Sequence, residues 1–212
     1  MAHYDLEEQE QIDSLKTWWK MYGNLVTGLV MAGSLAVVGW QGWNWYQGGQ
    51  SAQAAAIYGV LEQAASMGDA QKVKAASGEL VEKFGRTAYA SLGAMVAAKQ
   101  SFDTGDLKTA KTQLAWVAEN GKNEARDLAR LRLAAVQLDE QAYDEALKQL
   151  DAVHAAAFDA RFLELKGDVL TAQGKKAEAR SAYKSALEKL ADKQSASREL
   201  LQQKLDSLGE AA

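Results

Sequence analysis

The 212-residue chain has no proline, no cysteine and only two histidines, His3 and His154. Average usage would supply roughly ten prolines to a chain of this length. Proline breaks helices and punctuates turns, so its absence beside abundant Ala, Leu, Lys, Glu and Gln predicts nearly continuous helix and few strands. The lack of cysteine excludes disulfides, thiolate metal sites and cysteine nucleophiles, and suits an oxidising compartment. No glycine-rich phosphate loop, zinc-binding spacing or nucleophile elbow occurs, so no cofactor, metal or catalytic residue is expected. His154 reads as the end of a helix, either a cation near the C-terminal dipole or a simple surface residue. A dominant charge is missing too: 24 Lys and Arg stand against 28 Asp and Glu, interspersed as a solvated face, and the net -4 gives no footprint for nucleic acid.

A further absence lies nearer the N-terminus. No charged side chain occurs between Lys20 and Glu62, and within this gap Leu25 to Tyr46 reads LVTGLVMAGSLAVVGWQGWNWY. At about 1.5 Å per residue, a helix from Tyr22 to Trp43 covers a hydrocarbon core of about 30 Å. Trp18, Trp19 and Tyr22 precede the apolar run and Trp40, Trp43, Trp45 and Tyr46 follow it, the pattern of an interfacial aromatic belt. The expected organisation is an acidic tail at 1–21, a transmembrane anchor at 22–46 in contact with the lipid bilayer, and a further domain at 47–212. Lys16 and Lys20 flank the anchor on its N-terminal side and nothing basic opposes them beyond it, which keeps the N-terminus in the cytoplasm. A signal peptide cleaved near Ala52 and Ala54 is the competing reading. The long acidic stretch of Asp5, Glu7, Glu8, Glu10 and Asp13 and the bulky tryptophans ending the run are unlike one. Gly28, Ala32 and Ala36 recur every four residues with Gly39 close to their face, a surface through which a second membrane helix can approach. The plainer alternative is that Gly and Ala are common in membrane helices.

Beyond the anchor the sequence repeats itself. Gly105-Asp-Leu-Lys-Thr-Ala110, Gln141-Ala-Tyr-Asp-Glu-Ala146 and Gly174-Lys-Lys-Ala-Glu-Ala179 each look like the turn between two helices and the start of the second, with their last alanines 36 and 33 residues apart. Ala98, Ala134 and Gly167 stand twelve residues before those alanines, where a small residue lets the hairpin close. The second helices carry apolar residues at helical spacing: Leu107, Ala110, Leu114 and Val117; Tyr143, Ala146, Leu147, Leu150 and Val153; Ala179, Ala182, Tyr183, Ala186, Leu187 and Leu190. A degenerate fourth unit precedes these, with helices near Ala52 to Ser66 and Ala70 to Phe84 around Met67-Gly68-Asp69. Ser195 to Leu208, with Leu201, Leu205 and Leu208 on one side, has the form of a closing cap. The expected fold class is all-α, one N-terminal transmembrane helix followed by a tetratricopeptide-like helical-hairpin solenoid. The terminal proline and first-helix tryptophan of such repeats are missing.

First helices of stacked hairpins line an inner groove that binds peptides or domains. The inward positions expected here are Met95, Lys99, Phe102, Leu131, Ala135, Leu138, Arg161, Glu164 and Asp168. For Leu131 and Leu138 a place in the hairpin core is an equal expectation. No Lys and Asn cluster for clamping a C-terminal carboxylate is recognisable among them.

Over its whole length the chain resembles the YfgM-like ancillary subunits of the bacterial Sec translocon. The resemblance rests on the tail and paired tryptophans (Tyr4, Glu7, Glu8, Gln9, Glu10, Lys16, Trp18, Trp19, Gly23), on Gly39-Trp40 and Trp43-Asn44 at the anchor's end, and on Leu131-Arg132-Leu133-Ala134 and Gly174 to Tyr183 in the repeats. It implies a single-pass inner-membrane protein with a periplasmic C-terminal domain. The implied partners are the SecYEG translocon, the membrane-anchored periplasmic chaperone PpiD and the exported polypeptides handed on to such chaperones. An envelope scaffold assembling another membrane complex is the alternative function.

The orientation is testable in intact spheroplasts with single cysteines at Ser14 and Ser207 and a membrane-impermeant thiol reagent. The lysine bias predicts labelling at position 207 and protection at 14; the reverse pattern would invert the topology.

Overall fold

The computed structural model describes residues 6–190 and 196–209; His3, Tyr4 and Asp5 of the tail and Ser195, the expected first residue of the cap, lie outside the described residues. The described elements are all helical: α1 (Leu6–Ser66), α2 (Ala70–Phe84), α3 (Ala88–Asp103), α4 (Leu107–Asn120), α5 (Asn123–Asp139), α6 (Tyr143–Leu150), a 3₁₀ turn at Ala156–Phe158, α7 (Asp159–Ala172), α8 (Lys176–Lys189) and α9 (Ala196–Ser207). The chain divides into two compact units, Met1–Gln50 and Ser51–Ala212. The expected anchor boundary at 46/47 falls inside α1, which continues unbroken to Ser66.

In the first unit, α1 is long and apolar enough to cross a membrane, and almost none of its most apolar stretch is buried. Two of its hydroxyls bond back to the helix: Thr27 Oγ1 donates to the Gly23 carbonyl at 2.7 Å and Ser34 Oγ to that of Val30 at 2.8 Å. Hydroxyls paired in this way carry no unmet donor into hydrocarbon. Trp18 lies 5.8 Å from Tyr22 and Trp43 lies 6.4 Å from Tyr46, ring centre to ring centre, so each end of the apolar run carries an aromatic cluster. Gly23 sits beneath the Trp19 indole, where a Cβ would come within 3.2 Å of the ring.

The second unit is a stack of helical hairpins, formed by the last turns of α1 with α2, then α3 with α4, α5 with α6 and α7 with α8, and closed by α9. One device makes all four turns. Gly68, Gly105, Gln141 and Gly174 adopt left-handed backbone, with φ of 73°, 81°, 61° and 77°. The residue after each returns its N–H to a carbonyl in the last turn of the helix: Asp69 to Ala64, Asp106 to Ser101, Ala142 to Gln137 and Lys175 to Leu170, at 2.8 to 2.9 Å. These are Schellman closures, which end a helix without proline and satisfy its orphan carbonyls. Asp69 and Asp106 then cap the helices that follow, accepting from the N–H groups of Lys72 and Thr109; the Lys72 ammonium and the Thr109 hydroxyl first, and these N–H groups second, hold the two carboxyls below the ordinary carboxylate range.

Small residues set how closely the helices approach. Ala98, Ala110, Ala134, Ala146 and Ala179 are at most 2% exposed. At Gly167 the requirement is strict, because a Cβ there would lie 2.3 Å from the Tyr183 ring. The first hairpin solves the same problem differently. Leu61 and Val73 occupy the places of Ala98 and Ala110 and are buried, and Gly93 of α3 makes the room, since a Cβ on it would lie 2.6 Å from Leu80 and 3.2 Å from Leu61. This exchange of large for small explains why the first hairpin looks degenerate in sequence.

One expectation is corrected. Val153 is 87% exposed and not part of a second helix, because α6 ends at Leu150. The chain then runs as an irregular strap held from α5: the Asp127 carboxylate, 1% exposed, accepts the Ala155 N–H at 2.9 Å, and Arg130 donates to the Val153 carbonyl at 2.8 Å. His154 therefore caps no helix; its ring stacks on Phe162 at 3.8 Å, with Nε2 3.4 Å from Asp159.

Gln141 alone carries a side chain into the left-handed turn position, a conformation costing roughly 1 to 2 kcal/mol for an L-residue. Denaturant titration should find Gln141→Gly more stable by about 0.5 to 1 kcal/mol and Gly167→Ala less stable by about 1 to 3 kcal/mol. Equal midpoints for the three proteins would contradict both the turn and the close approach.

Candidate protein-interaction groove

In the second unit, α3 packs against α5 and α5 against α7, and among the second helices Ser77 Oγ of α2 donates to Gln113 Oε1 of α4 at 3.3 Å. In a stack of helical hairpins the first helices line the concave side, so the solvent-facing strips of α3, α5 and α7 make the inner face. The outward strip of α3 is Ala88, Leu92, Val96, Lys99 and Asp103; shifted by the 36-residue repeat it becomes Glu124, Leu128, Arg132, Ala135 and Asp139 on α5. Leu92 is 45% and Phe102 43% exposed, so α3 offers two large apolar side chains to solvent on this side.

The expected groove residues separate into three groups. Lys99, Phe102 and Arg161 are exposed, Lys99 in an ion pair with Asp103 one turn on. Met95 and Leu131 are 7% and 8% exposed and lie in the hairpin core, while Leu138 is half-buried against that core. Glu164 and Asp168 are taken by the cap: Lys204 of α9 donates to Glu164 Oε1 and Asp168 Oδ2, both at 2.8 Å. The other oxygen of Asp168 accepts from the Tyr183 hydroxyl at 2.7 Å. On α1, Gly28, Ala32, Ala36 and Gly39 are all exposed, and a Cβ on either glycine would meet nothing within 4 Å.

Lys99 and Phe102 come together with residues of α5 around a cleft of about 360 Å³, whose remaining walls are Ala98, Asp103, Leu114, Arg132, Ala135, Val136 and Asp139. Arg132 and Asp139 were not among the expected residues. The signal was present, since the repeat that sets Ala135 opposite Lys99 also sets Asp139 opposite Asp103 and Arg132 opposite Val96. The cleft has an apolar floor and a charged rim, and among the described residues no cluster of His, Asp and Glu is arranged to hold a metal. Such a surface binds by burial and ion pairing.

The cap is fixed by packing and charge together. Leu201, Leu205 and Leu208 bury themselves against Leu170, Ala182, Tyr183 and Leu187, and Arg198 donates to the Leu187 carbonyl at the end of α8. Burial lowers the tendency of Lys204 to hold its proton, but its bonds to Asp168 and Glu164 outweigh this and leave it above the ordinary lysine value. Burial pushes the Tyr183 phenol up to about 12; the Thr171 hydrogen bond pulls it down and the Asp168 carboxylate adds to the rise.

A family model described as a tetratricopeptide repeat-like domain matches residues 16–210. The chain is 36% identical over 208 residues to a protein of Neisseria gonorrhoeae (strain ATCC 700825 / FA 1090) named "Ancillary SecYEG translocon subunit", covering 96% of this chain and 98% of the relative. Proteins of the same name from Haemophilus influenzae (strain ATCC 51907 / DSM 11121 / KW20 / Rd) and Escherichia coli (strain K12) are 32% and 29% identical. Those alignments cover 86% and 95% of this chain and 90% and 96% of the relatives.

Tyr183 and Lys204 both hold their protons more tightly in the fold than in the unfolded chain, where a phenol titrates near ~10 and a lysine near ~10.4. Their contribution to stability is therefore complete below about pH 10 and is lost as pH rises through the folded values. Melting curves between about pH 10 and 12 should fall less steeply for Tyr183→Phe than for the parent chain; parallel falls would remove the phenol from the account.

Proposed function

Because the chain belongs to the family of ancillary SecYEG translocon subunits, we propose that it is a non-enzymatic adaptor of the Sec translocon, linking emerging exported polypeptides to periplasmic chaperones by protein–protein binding. The observation that carries this reading is the inner face of the repeat unit, where Leu92, Phe102 and Arg132 are exposed, in a chain with no catalytic constellation in its sequence. A face that buries apolar area and pairs charge has the means to hold another polypeptide and no means to transform it.

In this reading residues 1–21 are a cytoplasmic tail, 22–46 anchor the chain in the inner membrane with the N-terminus inside, and 47–212 form a periplasmic domain. The partners are SecYEG, the membrane-anchored chaperone PpiD and exported chains. Gly28, Ala32, Ala36 and Gly39 form the contact with a neighbouring membrane helix, supported by the open space above both glycines. Lys99, Phe102, Arg132 and Arg161 form the contact with soluble polypeptide. Two weak contacts on one chain reinforce each other by effective concentration, so neither needs high affinity alone.

Copurification of the full chain in mild detergent tests the assignment. Translocon subunits and PpiD should be recovered together, and Gly28→Leu with Ala32→Leu should lower translocon recovery several-fold while leaving membrane insertion intact. Recovery of cell-wall or outer-membrane assembly proteins in their place would overturn it.

A further inference from the structure

Not all the charges around the α3–α5 cleft are equivalent. Lys99 and Asp103 are paired with each other, one turn apart on α3. On the opposite wall, Arg132 and Asp139 are both exposed, and among the described residues neither has an ion-pair partner or a side-chain hydrogen bond. They lie seven residues apart on one helix, about 10 Å along its axis. Between them Ala135 and Val136 face Phe102 across the cleft, with Leu114 of α4 among the residues lining it. The site therefore reads, along α5, as cation, apolar depression, anion. A complementary guest presents an acidic side chain, one large apolar side chain and a basic side chain, in that order and on one side.

The shape limits what form that guest takes. α3 and α5 pack against each other, so the cleft between them is a furrow over a continuous floor, and its roughly 360 Å³ suits one large side chain with its flanks. An α-helix, about 10 Å across with its side chains, does not enter it. An extended segment does. Alternate residues of an extended chain point the same way and rise about 6.6 Å per pair, so positions i, i+2 and i+4 span the distance from Arg132 to Asp139.

We propose that the α3–α5 cleft is a side-chain pocket for an extended segment of unfolded polypeptide of the pattern acidic-x-apolar-x-basic, its apolar side chain against Phe102 and Val136, its acid on Arg132 and its base on Asp139. This rests on the adaptor reading above and adds to it the form and chemistry of the bound chain. Because the pocket reads side chains at alternate positions, many sequences satisfy it, in either chain direction, and sequences bearing two charges of one sign on those flanks bind less well. The pocket is thus selective for charge pattern while tolerant of sequence.

The test uses the full chain in lipid nanodiscs and fluorescein-labelled Gly/Ser peptides containing Glu-Ser-Phe-Ser-Lys, Glu-Ser-Phe-Ser-Glu, Lys-Ser-Phe-Ser-Lys or Glu-Ser-Ser-Ser-Lys, with affinity read by anisotropy. The mixed-charge peptide should bind at least about tenfold more tightly than the one lacking phenylalanine, and Phe102→Ser should abolish that difference. Arg132→Glu should move the preference to the peptide with two lysines, and Asp139→Lys to the one with two glutamates. Both positions are exposed, and circular dichroism checks that the variants stay folded. Equal affinities for all charge patterns, or a phenylalanine effect untouched by Phe102→Ser, would overturn the pocket while leaving translocon copurification as it was. Loss of translocon copurification with peptide binding intact would instead overturn the adaptor reading.

Discussion

The close approach of two helices at a small residue is the constraint on which the repeat unit depends. Three of the four hairpins close on a pair of small, buried residues, Ala98 with Ala110, Ala134 with Ala146, and Gly167 with Ala179. Once those places are fixed, so is the rotation of each helix about its axis. That rotation decides which residues face the core, which face the next hairpin and which remain on the inner strip. The first hairpin shows that the constraint is on summed volume, because Leu61 and Val73 replace the small pair and Gly93 on the neighbouring helix gives the space back.

Departures from the regular repeat are each held by a buried polar contact. The strap after α6 is tied down by Asp127, a carboxylate almost fully buried, and the cap by Lys204, which reaches two carboxylates on α7. A buried carboxylate without its donors would be costly, so these contacts fix geometry: they permit one arrangement of the strap and one of the cap. The cap also withdraws Glu164 and Asp168 from the inner face, while the α3–α5 region keeps exposed Leu92, Phe102, Arg132 and Asp139.

Local features of the sequence carried most of the architecture. A proline-free chain, a charge-free apolar run with aromatic ends, and a small residue recurring at intervals of 36 and 33 were enough to place the apolar segment, the hairpins, their turns and the cap, but not the joining of that segment and the helix near 52–66 into one α1. Contacts between residues far apart in sequence were not legible. Val153 fits the apolar period of a second helix, and only the bond from Asp127 to Ala155, 28 residues away, shows why the helix stops short of it. Glu164 and Asp168 occupy inward register positions, yet Lys204 claims them from 40 and 36 residues further along. Met95 and Leu131 lie at the margin of the inner strip, where a small rotation of the helix decides between groove and core; packing turns them inward. Arg132 and Asp139 fit the repeat pattern, but charged residues on a helix read in sequence as solvated surface.

The central claim is that the inner face of the repeats meets other polypeptides while the outer helices do not. Site-specific photocrosslinking in living cells measures this directly, with one probe at Phe102 on the inner face and one at Lys148, exposed on a second helix. The account predicts that the Phe102 probe captures translocon subunits, a periplasmic chaperone or exported chains and that the Lys148 probe captures none of them. Capture from Lys148 with silence at Phe102 would contradict it.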